Sequence, residues 1–138
     1  MKAFFAGVLA VCLAACASAP VQKLEKQFSL PAVSNTRQVK VAVFRACARL
    51  GWECVSVTDS SAEANFAQNG RQVWADIAYS PHSYTISYKH STGLNYTAGR
   101  QSSISPLYMR WIKRLSAQID RELQKINRAG NATSAQGV

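Results

Sequence analysis

Four cysteines, two histidines and seven carboxylates carry most of the reactive chemistry in this 138-residue chain. Their spacing disfavours enzymatic use. No His-Glu-x-x-His, Gly-x-Ser-x-Gly or phosphate-binding glycine loop occurs. His82 and His90 flank a strand-like segment that would hold them roughly 25 Å apart, too far to share one metal. Asp59 falls in a turn cluster and Asp76 in a strand, a weak basis for paired-carboxylate catalysis. An enzyme is therefore the least favoured class, and no cofactor or metal is expected. Cys12 belongs to an apolar leader. Cys47 and Cys54 do not form a Cys-x-x-Cys, so a thioredoxin-like redox role has no support. In an oxidising compartment an even pair reads as a disulfide, the favoured assignment for Cys47 and Cys54. Two separate buried thiols are the alternative.

Binding chemistry has more to work with. Sixteen Lys and Arg against seven Asp and Glu give a formal net charge of +9. Arg110, Arg114, Arg121 and Lys125 cluster opposite an apolar helical stripe, with Arg128 just beyond. Such a face is either a solvated surface or a contact for anionic headgroups. Nucleic acid is not an expected partner, because the chain carries an export leader and no recognition motif. Trp74 is the one aromatic whose register turns it away from the core. With Asn65, Asp76 and Thr85 it marks a candidate binding face on an open sheet.

These side chains need elements to position them. Val39, Val43, Ala46 and Leu50 recur at helical spacing, with Thr36 as expected N-cap and Gly51 as C-cap. Val41 and Phe44 fall off that stripe, which implies a second covered side. Trp52 to Val57 is rich in β-formers. Asn69-Gly70 is a strong hairpin signal that pairs Gln68 with Arg71, Phe66 with Val73 and Ala64 with Ala75. Tyr84, Ile86 and Tyr88 continue the alternation inward. In the first strand, pairing Cys54 with Cys47 would turn Trp52 inward and leave Val55 and Val57 outside, a conflict with their apolar character. Residues 91–104 read as a loop pinned by Leu94 and Tyr96. Ser105-Pro106 opens a helix whose stripe runs from Tyr108 through Trp111, Ile112, Leu115, Ile119 and Leu123 to Ile126. The expected fold class is α+β: two helices on one face of a four-stranded antiparallel meander, in the order α-β-β-β-β-α. The expected boundaries are a leader at 1–15, a flexible tether at 16–35 spanning roughly 25 Å, a domain at 36–126 and a disordered tail at 127–138.

The leader is positive at Lys2 and apolar from Ala3 to Ala15, too short to span a membrane permanently. It ends in Leu13-Ala14-Ala15-Cys16, which resembles the lipobox of bacterial lipoproteins. The resemblance implies cleavage before Cys16, lipid on its sulfur and acylation of its amine. Ala17-Ser18 after the cysteine, with no Asp, implies sorting to the outer membrane of a Gram-negative host. An ordinary signal peptide cut after Ala17 or Ala19 is the alternative. The Gly-Trp after the first helix, the Tyr-x-Ile-x-Tyr strand, Leu94-Asn95-Tyr96 and the closing Tyr-x-x-Trp-Ile-x-x-Leu resemble a group of small proteobacterial lipoproteins that carries no known activity. The expected protein is a lipid-anchored module at the periplasmic face of the outer membrane. It would work without catalysis, through its membrane anchor and an envelope protein or anionic surface. A ligand-binding or inhibitor domain built on the sheet face around Trp74 is the alternative.

Overall fold

A computed structural model describes residues 18–136. In chain order the elements are β1 (Ala19–Pro20), β2 (Leu24–Gln27), α1 (Thr36–Leu50), β3 (Glu53–Thr58), β4 (Ser61–Gln68), β5 (Arg71–Ser80), β6 (Ser83–Thr92), β7 (Ser103–Ile104) and α2 (Pro106–Gln136). The fold is α+β, as the alternation and helical stripes imply. The sheet, however, has five antiparallel strands in the order β2-β6-β5-β4-β3, and β1 and β7 form a separate two-stranded ribbon. The four-strand expectation is corrected by β2, which pairs antiparallel with β6 and sets Leu24 opposite Ile86.

The hairpin follows from Asn69-Gly70. Both residues adopt positive φ, +52° and +76°, as a tight two-residue turn between twisted strands requires. The pairs Gln68–Arg71, Phe66–Val73 and Ala64–Ala75 fall as the sequence implies. Val73, Ala75, Ile77, Tyr79, Tyr84 and Ile86 therefore face the helices and are buried. The small side chains of Ala62, Ala64 and Ala75 on that face let the helix layer lie close to the sheet. From the other side α1 contributes Val39, Ala42, Val43 and Ala46, and α2 contributes Ile112, Leu115, Ile119 and Leu123.

The N-cap of α1 is Asn35, one residue before the expected Thr36. Asn35 accepts from the Gln38 backbone N–H, and the Gln38 side chain accepts from the Asn35 N–H. This reciprocal pair is a capping box that the Asn-x-x-Gln spacing already encodes. At the other end Gly51, at φ +77°, closes the helix.

The two ends of the described chain differ most from expectation. The segment expected as a free tether carries β1 and β2, and Val33 is fully buried. The segment expected as a tail from residue 127 continues α2 to Gln136. The two segments meet: the Ala32 backbone N–H donates to Asn127 Oδ1 at 3.0 Å. A Cβ at Gly130 would lie 2.6 Å from the Ala32 Cβ, so only glycine lets the helix pass there. In the connection expected as a loop over residues 91–104, β6 takes residues 91–92 and β7 takes 103–104. Leu94 is buried, whereas Tyr96 is 41% exposed and lies flat on Tyr88 at 4.3 Å.

Candidate interaction surfaces

The disulfide is the first site the structure assembles. Cys47 near the end of α1 and Cys54 in β3 are bonded, with their Cα atoms 6.2 Å apart. Gly51 reverses the chain between them, and the Trp52 backbone N–H donates to the Cys47 carbonyl. The geometry resolves the conflict in this strand. Trp52 turns inward and stacks on Phe66 at 5.1 Å, and Phe66 meets the edge of Trp111 at 4.9 Å. Val55 and Val57 are left outside, each 62% exposed. A bulge between Ser56 and Thr58 adds to the irregularity of this strand.

Trp74, Asn65, Asp76 and Thr85 all lie on the sheet face opposite the helices. Asn65 is directly across from Trp74, and Thr85 sits opposite Ala78, one step beyond Asp76. Trp74 is half-buried against His90, with ring centroids 5.0 Å apart. Two of the polar members, Asn65 and Asp76, are already engaged. Asn65 Oδ1 accepts from the Gln72 amide at 2.9 Å. Lys89 pairs with Glu63 and lies 3.9 Å from Asp76. The two carboxylates beside Lys89 hold its ammonium above its ordinary value, with the Glu63 hydrogen bond the largest cause. Sequence reasoning placed these residues on one face and missed that Gln72 and Lys89 engage Asn65 and Asp76.

Arg110, Arg114, Arg121 and Lys125 are all exposed on α2, but they divide into two pairs. Arg121 donates to Gln118 Oε1 at 3.0 Å, and Lys125 donates to Glu122 Oε1 at 3.2 Å. Glu122 is itself buried, and Arg49 of α1 reaches it at 2.8 Å. Burial pushes the Glu122 carboxyl up. Hydrogen bonds from Lys125 and Gln118, with the charges of Lys125 and Arg49, outweigh it and hold the group below its ordinary value. Arg49 therefore joins the helices through Glu122, and Lys125 supports that carboxylate from its own helix. Arg110 and Arg114 have no ion-pair partner among the described residues.

A second buried polar cluster ties the sheet to α2. The Tyr84 hydroxyl donates to Asp120 Oδ1 at 2.6 Å and shares a 2.7 Å bond with Ser116 Oγ. Burial first, and the Asp120 hydrogen bond second, push the Tyr84 phenol far above its ordinary value. A neutral, fully bonded tyrosine in that position is a structural fastener. The other aromatics read as core, Tyr108 and Trp111, are buried, and Tyr88 is half-buried.

Charge is distributed unevenly between the layers. The two helices carry ten basic and two acidic side chains, and both acids are ion-paired. The other described residues carry five basic and five acidic side chains. The net charge of the described molecule thus resides on its helix layer. On the outer side of α1, Thr36, Arg37, Lys40, Val41 and Phe44 line an open groove of about 610 Å³ with Asp59 from the β3–β4 turn. Val41 and Phe44 are the two residues that fall off the helical stripe, and the structure leaves them half-exposed there.

Cys16 lies outside the described residues. Among the described residues no helix is long and apolar enough to cross a membrane, and no three His, Cys, Asp or Glu converge as metal ligands. No protein-family model matches the sequence, and no curated protein matches it significantly.

Proposed function

We propose that this chain is a lipid-anchored protein of the bacterial envelope, at the periplasmic face of the outer membrane, that acts by binding rather than by catalysis. In this reading its helix layer faces an anionic surface. The observation that carries the reading is the segregation of charge: ten basic against two acidic side chains on the helices, and balance elsewhere. Each basic residue near an anionic leaflet contributes about 1 kcal/mol, so the layer offers several.

The position of the anchor supports the same orientation. With lipid on Cys16, the anchor lies three residues before Ala19. Extended chain spans at most about 3.6 Å per residue, so the lipidated residue reaches no more than about 11 Å from β1. β1 pairs with β7, and β7 leads directly into α2. Arg110, Lys113 and Arg114 lie in the first turns of that helix. The domain is thus held close to the bilayer by the end of α2 whose arginines are free. The alternative built on Trp74 has less support, because Asn65 and Asp76 are already engaged by Gln72 and Lys89.

The test has two arms. Metabolic labelling with a clickable fatty acid should mark the wild-type chain and spare the Cys16→Ser chain; equal labelling overturns the anchor. The unlipidated Cys16→Ser chain should co-sediment with vesicles containing anionic phospholipid at low salt and release as salt rises, because screening shortens to about 8 Å at physiological ionic strength. Arg110→Glu, Lys113→Glu and Arg114→Glu together should abolish that binding and leave the Glu122 cluster intact. Equal sedimentation of this variant, or equal binding to neutral vesicles, overturns the orientation.

A further inference from the structure

We infer that the free edge of β3, together with the groove beside α1, is a docking site for an extended segment of a partner protein. The segment adds to the sheet as a sixth strand and places valine-like side chains and carboxylates in the groove. The inference shares Arg37 and Lys40 of α1 with the helix layer of the membrane reading, but it rests on the β3 edge and stands whether or not Cys16 is lipidated.

The backbone supplies the first half of the site. Among the described residues β3 ends the sheet and has β4 as its single strand neighbour. Glu53, Cys54, Val55 and Ser56 keep regular register with β4 before the bulge at Val57. The disulfide fastens Cys54 to α1 and holds this stretch in place. Edge strands are usually blunted by lysine, proline or inward charge. β3 has neither lysine nor proline; its one charge, Glu53, stands at its start and its bulge lies beyond Ser56, so the stretch between them stays open, with Val55 and Val57 each 62% exposed.

The helix supplies the second half. Lys40 Nζ donates to Ser56 Oγ at 3.1 Å, which places the outer side of α1 beside the β3 edge. A strand added about 4.8 Å beyond β3 turns every second side chain to the helix side of the sheet. There it meets Val41 and Phe44 between the cations of Arg37 and Lys40, in the groove of about 610 Å³. Main-chain hydrogen bonds give such a complex its affinity, and the pockets for alternate side chains give it selectivity.

Charge decides the occupant. The groove is lined by two cations, Arg37 and Lys40, against one acid, Asp59. The groove therefore favours a segment with carboxylates beside its apolar groups. A second copy fits poorly. Antiparallel pairing of two β3 edges puts both α1 helices on the same face, with Arg37 and Lys40 of each copy turned toward those of the other. Like charges brought together in this way oppose association.

The experiment uses the full chain in neutral detergent and a labelled synthetic peptide with valine and glutamate alternating on one face and threonine on the other. Fluorescence anisotropy reads binding. Two further peptides keep every side chain and carry backbone N-methyl groups, one at odd and one at even positions. Strand addition directs only one set of N–H groups toward β3. One methylated peptide should bind as the parent does, and the other at least about tenfold more weakly. Arg37→Glu with Lys40→Glu should weaken the parent peptide by a similar factor. The methylated pair gives its answer on the unaltered chain, so it does not depend on how that variant folds. No binding of the parent, equal effects of the two methylation patterns, or unchanged binding to the Arg37→Glu, Lys40→Glu chain each overturns the proposal. So does sedimentation showing that the chain pairs with itself in a manner lost on Val55→Lys, because the occupant is then a second copy.

Discussion

The two edges of the sheet are finished in opposite ways. The β2 edge is four residues long, Leu-Glu-Lys-Gln, and is covered by charge. Glu25 faces Lys23 at 3.9 Å, and Lys26 reaches across to Asp120 at 3.8 Å. Its inward side is packed, with Leu24 against the core and Phe28 tilted onto Tyr84 at 6.4 Å. The β3 edge is six residues long, carries two exposed valines and has a helix groove alongside. A short charged edge offers little ladder for another chain to join, whereas a longer apolar one offers both hydrogen bonds and contact area. The difference locates where the molecule closes itself and where it remains open to a partner.

The comparison is broken most severely by removing the closed edge. A chain that begins at Thr36 lacks β2 and the segment through Val33, and it bares β6 beside Ile86. Fully burying Val33 alone contributes about 1.5–3 kcal/mol, and Leu24, Phe28 and Leu30 add partial burial. The expected loss is about 5 kcal/mol, comparable with the whole stability of many domains. Urea unfolding of the Thr36 start beside a Ser18 start measures it. Equal midpoints would mean that β2 is an accessory and that the domain does begin at Thr36.

That boundary was hard to read in the sequence for a physical reason. Leu24 and Phe28 are four residues apart, and a spacing of four places two side chains on one face of a helix and of a strand alike. With polar residues between them, no alternation separates the readings. The same holds at the far end, where small and polar residues after Ile126 lack a stripe, yet Asn127 and Gly130 are used by contact with Ala32. The hairpin was legible because Asn69-Gly70 sets register locally, and the helix stripes were legible because burial has a period. The Cys47–Cys54 pairing was readable from count and compartment. What the sequence could not show was the charge balance of each layer or the overhang of α1 beside β3. Both depend on which elements become neighbours.

The open edge responds to its disulfide on a smaller scale. The bond closes a loop with a sequence separation of 7, for which chain entropy gives about 2–3 kcal/mol. Cys47→Ser with Cys54→Ser should lower stability by about that amount in urea unfolding. The loss should be concentrated at the open edge. Amide hydrogen exchange over residues 53–56 should accelerate more than over residues 24–27, because Cys54 loses its tie to α1. Uniform acceleration at both edges would mean that the bond supports the whole core rather than β3.

The smallest effect on stability, and the sharpest test of the contrast, comes from one lysine placed at each edge in turn. Val55 is 62% exposed and faces away from the helices, so Val55→Lys removes little buried area. Some β-propensity is lost, and the expected change is about 0.5 kcal/mol. Leu24 is partly buried on the core side of the sheet, so Leu24→Lys should cost about 1–2 kcal/mol, the order of a partly lost leucine burial. The ranking reverses for association. A lysine on β3 blunts the open stretch beyond Glu53, so Val55→Lys should weaken binding of the valine–glutamate peptide in the anisotropy assay, whereas a further charge on the already charged β2 edge should not. A Val55→Lys cost above about 1.5 kcal/mol would show that Val55 is packed rather than open, and unchanged peptide binding would show that the β3 edge is not where the segment docks.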